Sequence, residues 1–207
     1  MLPDLELRAA LRDLTPVPSE GTLHRAVLLE YLMNIGRDPQ PLYSLGAPMS
    51  GARFTPKGGM ATLYLAENAE TAYAEALQIS RHLARARPDV QITPKPIVLL
   101  SMRVRIGALL DVTEDAVQAR LGTTRSELLA AWRRRAFAGQ EVPTWRMGQA
   151  IWNDGRFAGL RYESSQRRGS FCLALFPDRL SDGDFIEVHD PAHNINQTIS
   201  RPPSSGA

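Results

Sequence analysis

Three residues in one stretch of this 207-residue chain have side chains suited to recognising and cleaving a charged ligand. Arg53 lies in the segment GARFTPKGG, whose glycines and proline impose an irregular backbone that a ligand can approach closely. Tyr64 follows in the apolar run ATLYLA, which predicts a short buried strand. Glu75 comes next, three residues after Ala72 on a predicted helix, so it lies on or beside the apolar face. Each of these residues, considered alone, also fits a structural role.

Other candidate groups favour structural interpretations. His189 and His193 have the spacing of two metal ligands on a helix, but Pro191 between them disfavours a helix and no third ligand is near in sequence. We therefore predict a solvated turn there and no metal site. Cys172 is the only cysteine, which excludes an internal disulfide, and its place in a predicted strand favours a core residue over a nucleophile.

The run Arg133–Arg135 follows Trp132 on a predicted helix. Three successive helical residues point in three directions, so a solvated or partner-facing surface is favoured over a phosphate clamp. The sequence also lacks the common signatures GxxxxGK[ST], GxGxxG, HExxH, paired CxxC and GxSxG.

The composition is that of an ordinary globular protein, with 43% hydrophobic and 22% charged residues. A net charge of +2 predicts neither a nucleic-acid-binding protein nor an acidic tail. Almost all the positive charge is arginine, which a GC-rich genome or a need for bidentate phosphate recognition would explain. The first residues lack a signal peptide's apolar region and no run approaches the ~18 apolar residues of a membrane span, so we expect a cytoplasmic protein.

The order of predicted elements indicates one compact α+β domain, with small mixed or antiparallel sheets flanked by helices. Residues 1–20 are interpreted as a helical extension, 21–193 as the domain, and 194–207 as a disordered tail. The helix that carries Glu75 is predicted to continue to about Arg87. The run LHRAVLLEYL fits a strand, a helix, or one after the other.

Four segments follow one another between about Leu23 and about His193: HRAV, GARFTPKGGMATLYLAENAETAYAEA, LLDVTEDAVQARLG and GLRYESSQRRGSFCLALFPDRL. In this order they resemble the RES-domain family, the toxins of bacterial RES–Xre toxin–antitoxin pairs. The family's motif residues correspond here to Arg25, Arg53, Tyr64, Glu75 and Ser164, with Ser165 as the neighbouring alternative. The chain departs from the family pattern at Trp145 and Cys172, where many relatives carry Gln and Asn.

The resemblance implies a fold related to ADP-ribosyltransferases and a reaction that consumes NAD as substrate, without a prosthetic group. In that reaction Arg25 and Arg53 would bind the pyrophosphate with help from Lys57. Glu75 would stabilise the positive charge that develops on the ribose. Tyr64 would stack on the nicotinamide or bond the ribose, and Ser164 would fix the ribose or an incoming phosphate. Glu75, Arg53 and Ser164 are the predicted catalytic residues.

The predicted function is that of a type II toxin which halts growth by cleaving the nicotinamide–ribose bond through hydrolysis or phosphorolysis. One alternative is a mono-ADP-ribosyltransferase acting on a nucleotide-synthesis enzyme, and another is a non-catalytic nucleotide sensor. The expected partner is an Xre-type antitoxin that binds DNA, while this chain touches neither nucleic acid nor membrane. Leu5, Leu7 and Leu11 of the first helix are expected to be exposed and to serve a homodimer or the antitoxin.

Overall fold

A computed structural model describes residues 1–33, 39–78 and 95–201. Its strands are β1 Val17–Leu28, β2 Leu63–Ala66, β3 Ile97–Asp111, β4 Gly159–Glu163, β5 Phe171–Leu175, β6 Phe185–Asp190 and β7 Ile195–Ser200. Its α-helices are α1 Asp4–Arg12, α2 Leu29–Leu32, α3 Gly46–Ser50, α4 Ala69–Ala76, α5 Asp115–Arg120, α6 Arg125–Leu129, α7 Trp132–Phe137 and α8 Pro143–Asp154. Short 3-10 helices follow β5 and β6 at Pro177–Arg179 and Pro191–His193.

The seven strands form one mixed sheet in the order β1-β2-β5-β4-β3-β6-β7, in which only the β3–β4 pairing is parallel. Because β1 also pairs with β3, the pairings β1-β2-β5-β4-β3 return to β1 and close a ring of five strands. The predicted α+β domain is therefore confirmed, with the expected small sheets joined into a single larger one.

The long strand β3 shows why the sequence folds this way. From Leu100 to Ile106 its apolar residues alternate with Ser101, Arg103 and Arg105, so one face is buried and the other is solvated. From Ile97 to Leu109 it runs antiparallel to β1, with Arg25 opposite Leu100. The ambiguous run after Leu23 is a strand that ends at Leu28 and continues directly into α2.

Helices cover the sheet and set the position of the cavity. Helix α8 begins with Pro143 in its first turn and ends at Gly155, whose φ of 79° lies in the left-handed region that favours glycine. Helix α1 packs on α8 and buries Leu7 and Leu11 in the main hydrophobic cluster. The expectation of exposure is therefore wrong for these two leucines, and only Leu5 is exposed, at 82%.

The end of the chain and helix α4 can also be compared with the sequence predictions. The prediction of a disordered tail is wrong for Ile195–Ser200, which pairs antiparallel with β6 as strand β7 and buries Ile195. Helix α4 starts as predicted, with the Asn68 side chain accepting a hydrogen bond from the Thr71 amide. It ends at Ala76, with Leu77 as its C-terminal cap, so the prediction of one continuous helix is wrong at that point. The rest of the predicted continuation to Arg87, from position 79 onward, lies outside the described residues.

Candidate functional site

A cavity of about 320 Å³ opens where β1, β2 and β4 meet α3, α4 and α7. Its described wall includes the charged residues Arg25, Arg53, Glu75 and Arg133. Aromatic and small polar groups complete the wall, among them Tyr64, Trp132, Tyr162, Ser50, Thr62 and Gln78. The cavity thus combines positive charge, one carboxylate and aromatic surface, which suits an anionic ligand that carries planar rings.

Four of the predicted site residues meet at this cavity although they are distant in sequence: Arg25, Arg53, Tyr64 and Glu75. Two others do not line it. Lys57 is an exposed residue of the loop that follows Arg53. Ser164 is fully buried, at 0% exposure, and reaches the site through another side chain.

Ser164 holds the carboxylate of Glu75 through a hydrogen bond. Its Oγ donates a hydrogen bond to Glu75 Oε1 at 2.6 Å and accepts hydrogen bonds from the backbone amides of Gln166 and Arg167, both at 3.1 Å. The hydroxyl is thereby saturated and fixed by the turn after β4. Ser164 therefore positions Glu75 and offers no group to a ligand, unlike the predicted contact with ribose or phosphate.

Ser165 holds the guanidinium of Arg53 in a similar way. Arg53 Nη2 donates to Ser165 Oγ at 2.7 Å, and Nη1 donates to the carbonyl oxygens of Leu128 at 2.8 Å and Ala130 at 3.1 Å. Arg53 is only 6% exposed. The two serines that the sequence could not separate therefore both serve the site, one holding the acid and the other holding the guanidinium.

Arg25 is also held by backbone carbonyl groups. Its Nη1 donates to Pro41 O at 2.5 Å and its Nη2 to Tyr43 O at 3.0 Å. Burial lowers the pKa of Arg25 to about 10, which still leaves the side chain charged at neutral pH. Arg25 therefore ties the Pro41–Tyr43 segment to β1 and places a fixed positive charge at the cavity wall.

The hydroxyl of Tyr64 is engaged within the protein. It accepts a hydrogen bond from the Phe54 amide at 3.0 Å and shares another with Thr55 Oγ1 at 3.0 Å. Thr55 in turn donates to Thr62 at 2.8 Å. Burial raises the pKa of Tyr64 to about 12, so the phenol stays protonated at neutral pH. Its ring is thus the part best placed to meet a ligand, which favours stacking over the alternative bond to ribose.

Sequence reasoning missed Arg133 as a cavity residue. The run was interpreted as a surface, and Arg134 and Arg135 are indeed exposed, whereas Arg133 faces the cavity beside Trp132. Its guanidinium lies 4.3 Å from the Trp132 ring centroid. Helical spacing instead places Arg135, three residues after Trp132, on the same face, so the sequence carried no local signal for Arg133.

The two departures from the family pattern lie behind the cavity wall. Trp145 donates from its indole nitrogen to Ala52 O at 2.7 Å and packs on Trp132 with ring centroids 6.0 Å apart. Trp145 therefore supports both the Arg53 loop and helix α7. Cys172 is buried as predicted, and burial raises the pKa of its thiol, which suits a core residue.

Within residues 1–33, 39–78 and 95–201, no group of three or more His, Cys, Asp or Glu side chains is arranged to hold a metal ion. The helices in these ranges are also too short or too polar to cross a membrane.

Comparisons with known proteins agree with this architecture. The family model described as RES domain matches residues 22–196. The chain is also similar to a chain in the crystal structure of the M. tuberculosis MbcT-MbcA toxin-antitoxin complex, with a TM-score of 0.59 and 14% identity, covering 96% of this chain and 93% of that one. At this identity the likeness shows the fold alone. No curated protein sequence matches the chain.

Proposed function

Because the chain belongs to the RES-domain family, we propose that it is the toxin of a bacterial toxin–antitoxin pair and that it consumes NAD by breaking the nicotinamide–ribose bond. One observation carries the proposal. Arg25, Arg53, Tyr64 and Glu75, which come from four separate segments, converge on one cavity in which the carboxylate is held by a buried serine.

Glu75 is the group suited to the bond-breaking step. When the nicotinamide–ribose bond breaks, its electron pair leaves with nicotinamide and positive charge develops on the ribose. The Ser164 hydroxyl fixes Glu75 Oε1, which leaves Oε2 to face that charge or to accept a hydrogen bond from a ribose hydroxyl. A carboxylate oriented before the reaction stabilises the transition state without reorganisation at the moment of cleavage.

The remaining wall suits the rest of the NAD molecule. The positive charges of Arg25 and Arg53 favour the pyrophosphate, and the Tyr64 ring offers a surface on which nicotinamide can stack. In hydrolysis, water then adds to the ribose carbon and loses a proton, which yields ADP-ribose and nicotinamide. Inorganic phosphate in place of water yields a phosphorylated ADP-ribose.

Chromatography of the products tests this proposal directly. The purified protein is incubated with NAD, with and without phosphate, and is compared with Glu75→Gln, which keeps the size of the side chain but removes its charge. We expect wild type to release nicotinamide and Glu75→Gln to lose at least about a hundredfold in rate. A folded Glu75→Gln protein with wild-type turnover would refute the site assignment. Turnover that requires an added protein would identify a transferase.

The proposed role as a toxin is tested in cells. Expression of the chain alone should stop bacterial growth and deplete NAD, and Glu75→Gln should do neither. Co-expression of an Xre-type antitoxin encoded beside it should restore growth. Growth arrest with unchanged NAD would instead favour the protein-modifying alternative.

A further inference from the structure

The three arginines of the cavity wall differ in how many hydrogen bonds their guanidinium groups donate to the rest of the protein. Arg25 gives two hydrogen bonds to carbonyl oxygens, and Arg53 gives two to carbonyl oxygens and one to Ser165. The side chain of Arg133 makes no hydrogen bond and no ion pair within the described part of the chain, and its Nε is buried without a partner. The Nη groups of Arg133, at the cavity wall, are therefore the donors available to a ligand.

The position of Arg133 is nevertheless well defined. Its guanidinium lies against the ring of Trp132, which is only 6% exposed and packs on Trp145. Face contact with an aromatic ring holds the guanidinium plane but uses none of its N–H groups. The guanidinium of Arg133 is thus held in place by Trp132 while its N–H groups make no hydrogen bond to the described part of the protein.

The electrostatic surroundings of Arg133 favour an incoming anion. The pKa of Arg133 is lowered, first by burial and then by the positive charge of Arg53, while Glu75 acts in the opposite direction. Among the described wall residues three arginines face one glutamate, so these residues together carry an excess of positive charge. A partly buried guanidinium with unused donors is unfavourable without a ligand, and a phosphate group supplies both the charge and the acceptors.

We propose that Arg133 is the principal direct ligand of the substrate pyrophosphate, and that Arg25 and Arg53 chiefly hold the cavity walls. This inference rests on the proposed function and identifies the part of the site that recognises a nucleoside diphosphate. It also differs from the sequence-based expectation, in which Arg25 and Arg53 were the phosphate ligands.

The test compares Arg133→Ala with Arg134→Ala, a matched control that removes an exposed arginine from the next position of the same helix. With NAD as substrate, Arg133→Ala should raise KM about tenfold to a hundredfold, as expected for loss of hydrogen bonds to a charged group, with kcat changed much less. With nicotinamide riboside, which has no phosphate, the same variant should match wild type in kcat/KM. Arg133→Lys should recover part of the loss, because it restores charge without the planar fork.

Calorimetric binding of ADP-ribose separates this inference from the proposed reaction. Wild type and Arg134→Ala should bind ADP-ribose equally, and Arg133→Ala should bind at least about tenfold more weakly while unfolding at a similar temperature. Wild-type KM and ADP-ribose affinity in Arg133→Ala would overturn the inference. If ADP-ribose binding depends on Arg133 but wild type does not turn over NAD, the proposed reaction alone would be refuted. If wild type neither binds ADP-ribose nor turns over NAD, the inference and the proposed reaction would both be refuted.

Discussion

The contact between helix α8 and the loop that carries Arg53 yields a sharp prediction. A methyl group built on Gly148 would overlap the Phe54 carbonyl oxygen and lie 2.9 Å from its carbonyl carbon. Ordinary contacts between such atoms are about 3.5–4.0 Å, so Gly148→Ala requires the loop to retreat by more than about 1 Å. Such overpacking costs about 1–3 kcal/mol, and the better helix propensity of alanine offsets about 1 kcal/mol of it.

Because the overlapping atoms are backbone atoms of the buried Phe54, Gly148→Ala should lower the free energy of unfolding by about 2 kcal/mol and also affect the site strongly. A displacement near 1 Å at Arg53, the neighbour of Phe54, can lower the rate about a hundredfold. The assay pairs NAD turnover and ADP-ribose binding with denaturant unfolding, and Gln149→Ala on the exposed side of the same helix is the control. Turnover within about twofold of wild type would refute the view that this contact fixes the position of the loop that carries Arg53.

Three further predictions concern single residues of the site. Arg53→Ala should lower the free energy of unfolding by about 1–3 kcal/mol, measured by denaturant unfolding, because the buried Leu128 carbonyl loses this donor, whereas Ala130 O still accepts from the Trp132 amide; an unchanged midpoint would contradict this. Ser164→Ala, which removes the hydrogen bond to Glu75, should lower kcat and change KM less. Ser165→Ala should have a smaller effect on kcat, because Arg53 keeps two other hydrogen bonds. Equal effects of the two variants in steady-state kinetics would argue against separate roles. Since the pKa of Tyr64 is raised to about 12, its contribution to stability is complete below about pH 10 and is lost as pH rises towards 12, by up to about 3 kcal/mol. Tyr64→Phe should remove that part of the alkaline decline in unfolding experiments, and an identical decline in both proteins would contradict it.

The sequence predicts well the features that depend on local patterns. The alternation in β3, the Asn68 cap of α4 and the Gly155 end of α8 all follow from interactions within a few residues. The convergence of Arg53 and Glu75 at one cavity was expected from the family resemblance, because motif residues of a family share a site.

What the sequence could not predict depends on tertiary contacts. The direction of Arg133 is set by how Trp132 packs on Trp145, and no local pattern encodes that. The polar alternation of Ile195–Ser200 resembles a loop until its pairing with β6 supplies the hydrogen bonds. The roles of Ser164 and Ser165 follow from which distant side chain each one meets.

The closed ring of strands has a consequence for when the cavity is completed during synthesis of the chain. The strand that carries Arg25 pairs with β3 some seventy residues later, and the serine that holds Glu75 is made later still, after β4. Pairing between such distant segments is slow, because loop-closure entropy is lost before native contacts form. A ribosome-bound chain without β4 and β5 therefore has no complete cavity. The proposed reaction therefore cannot begin until the last strands of the ring have been made.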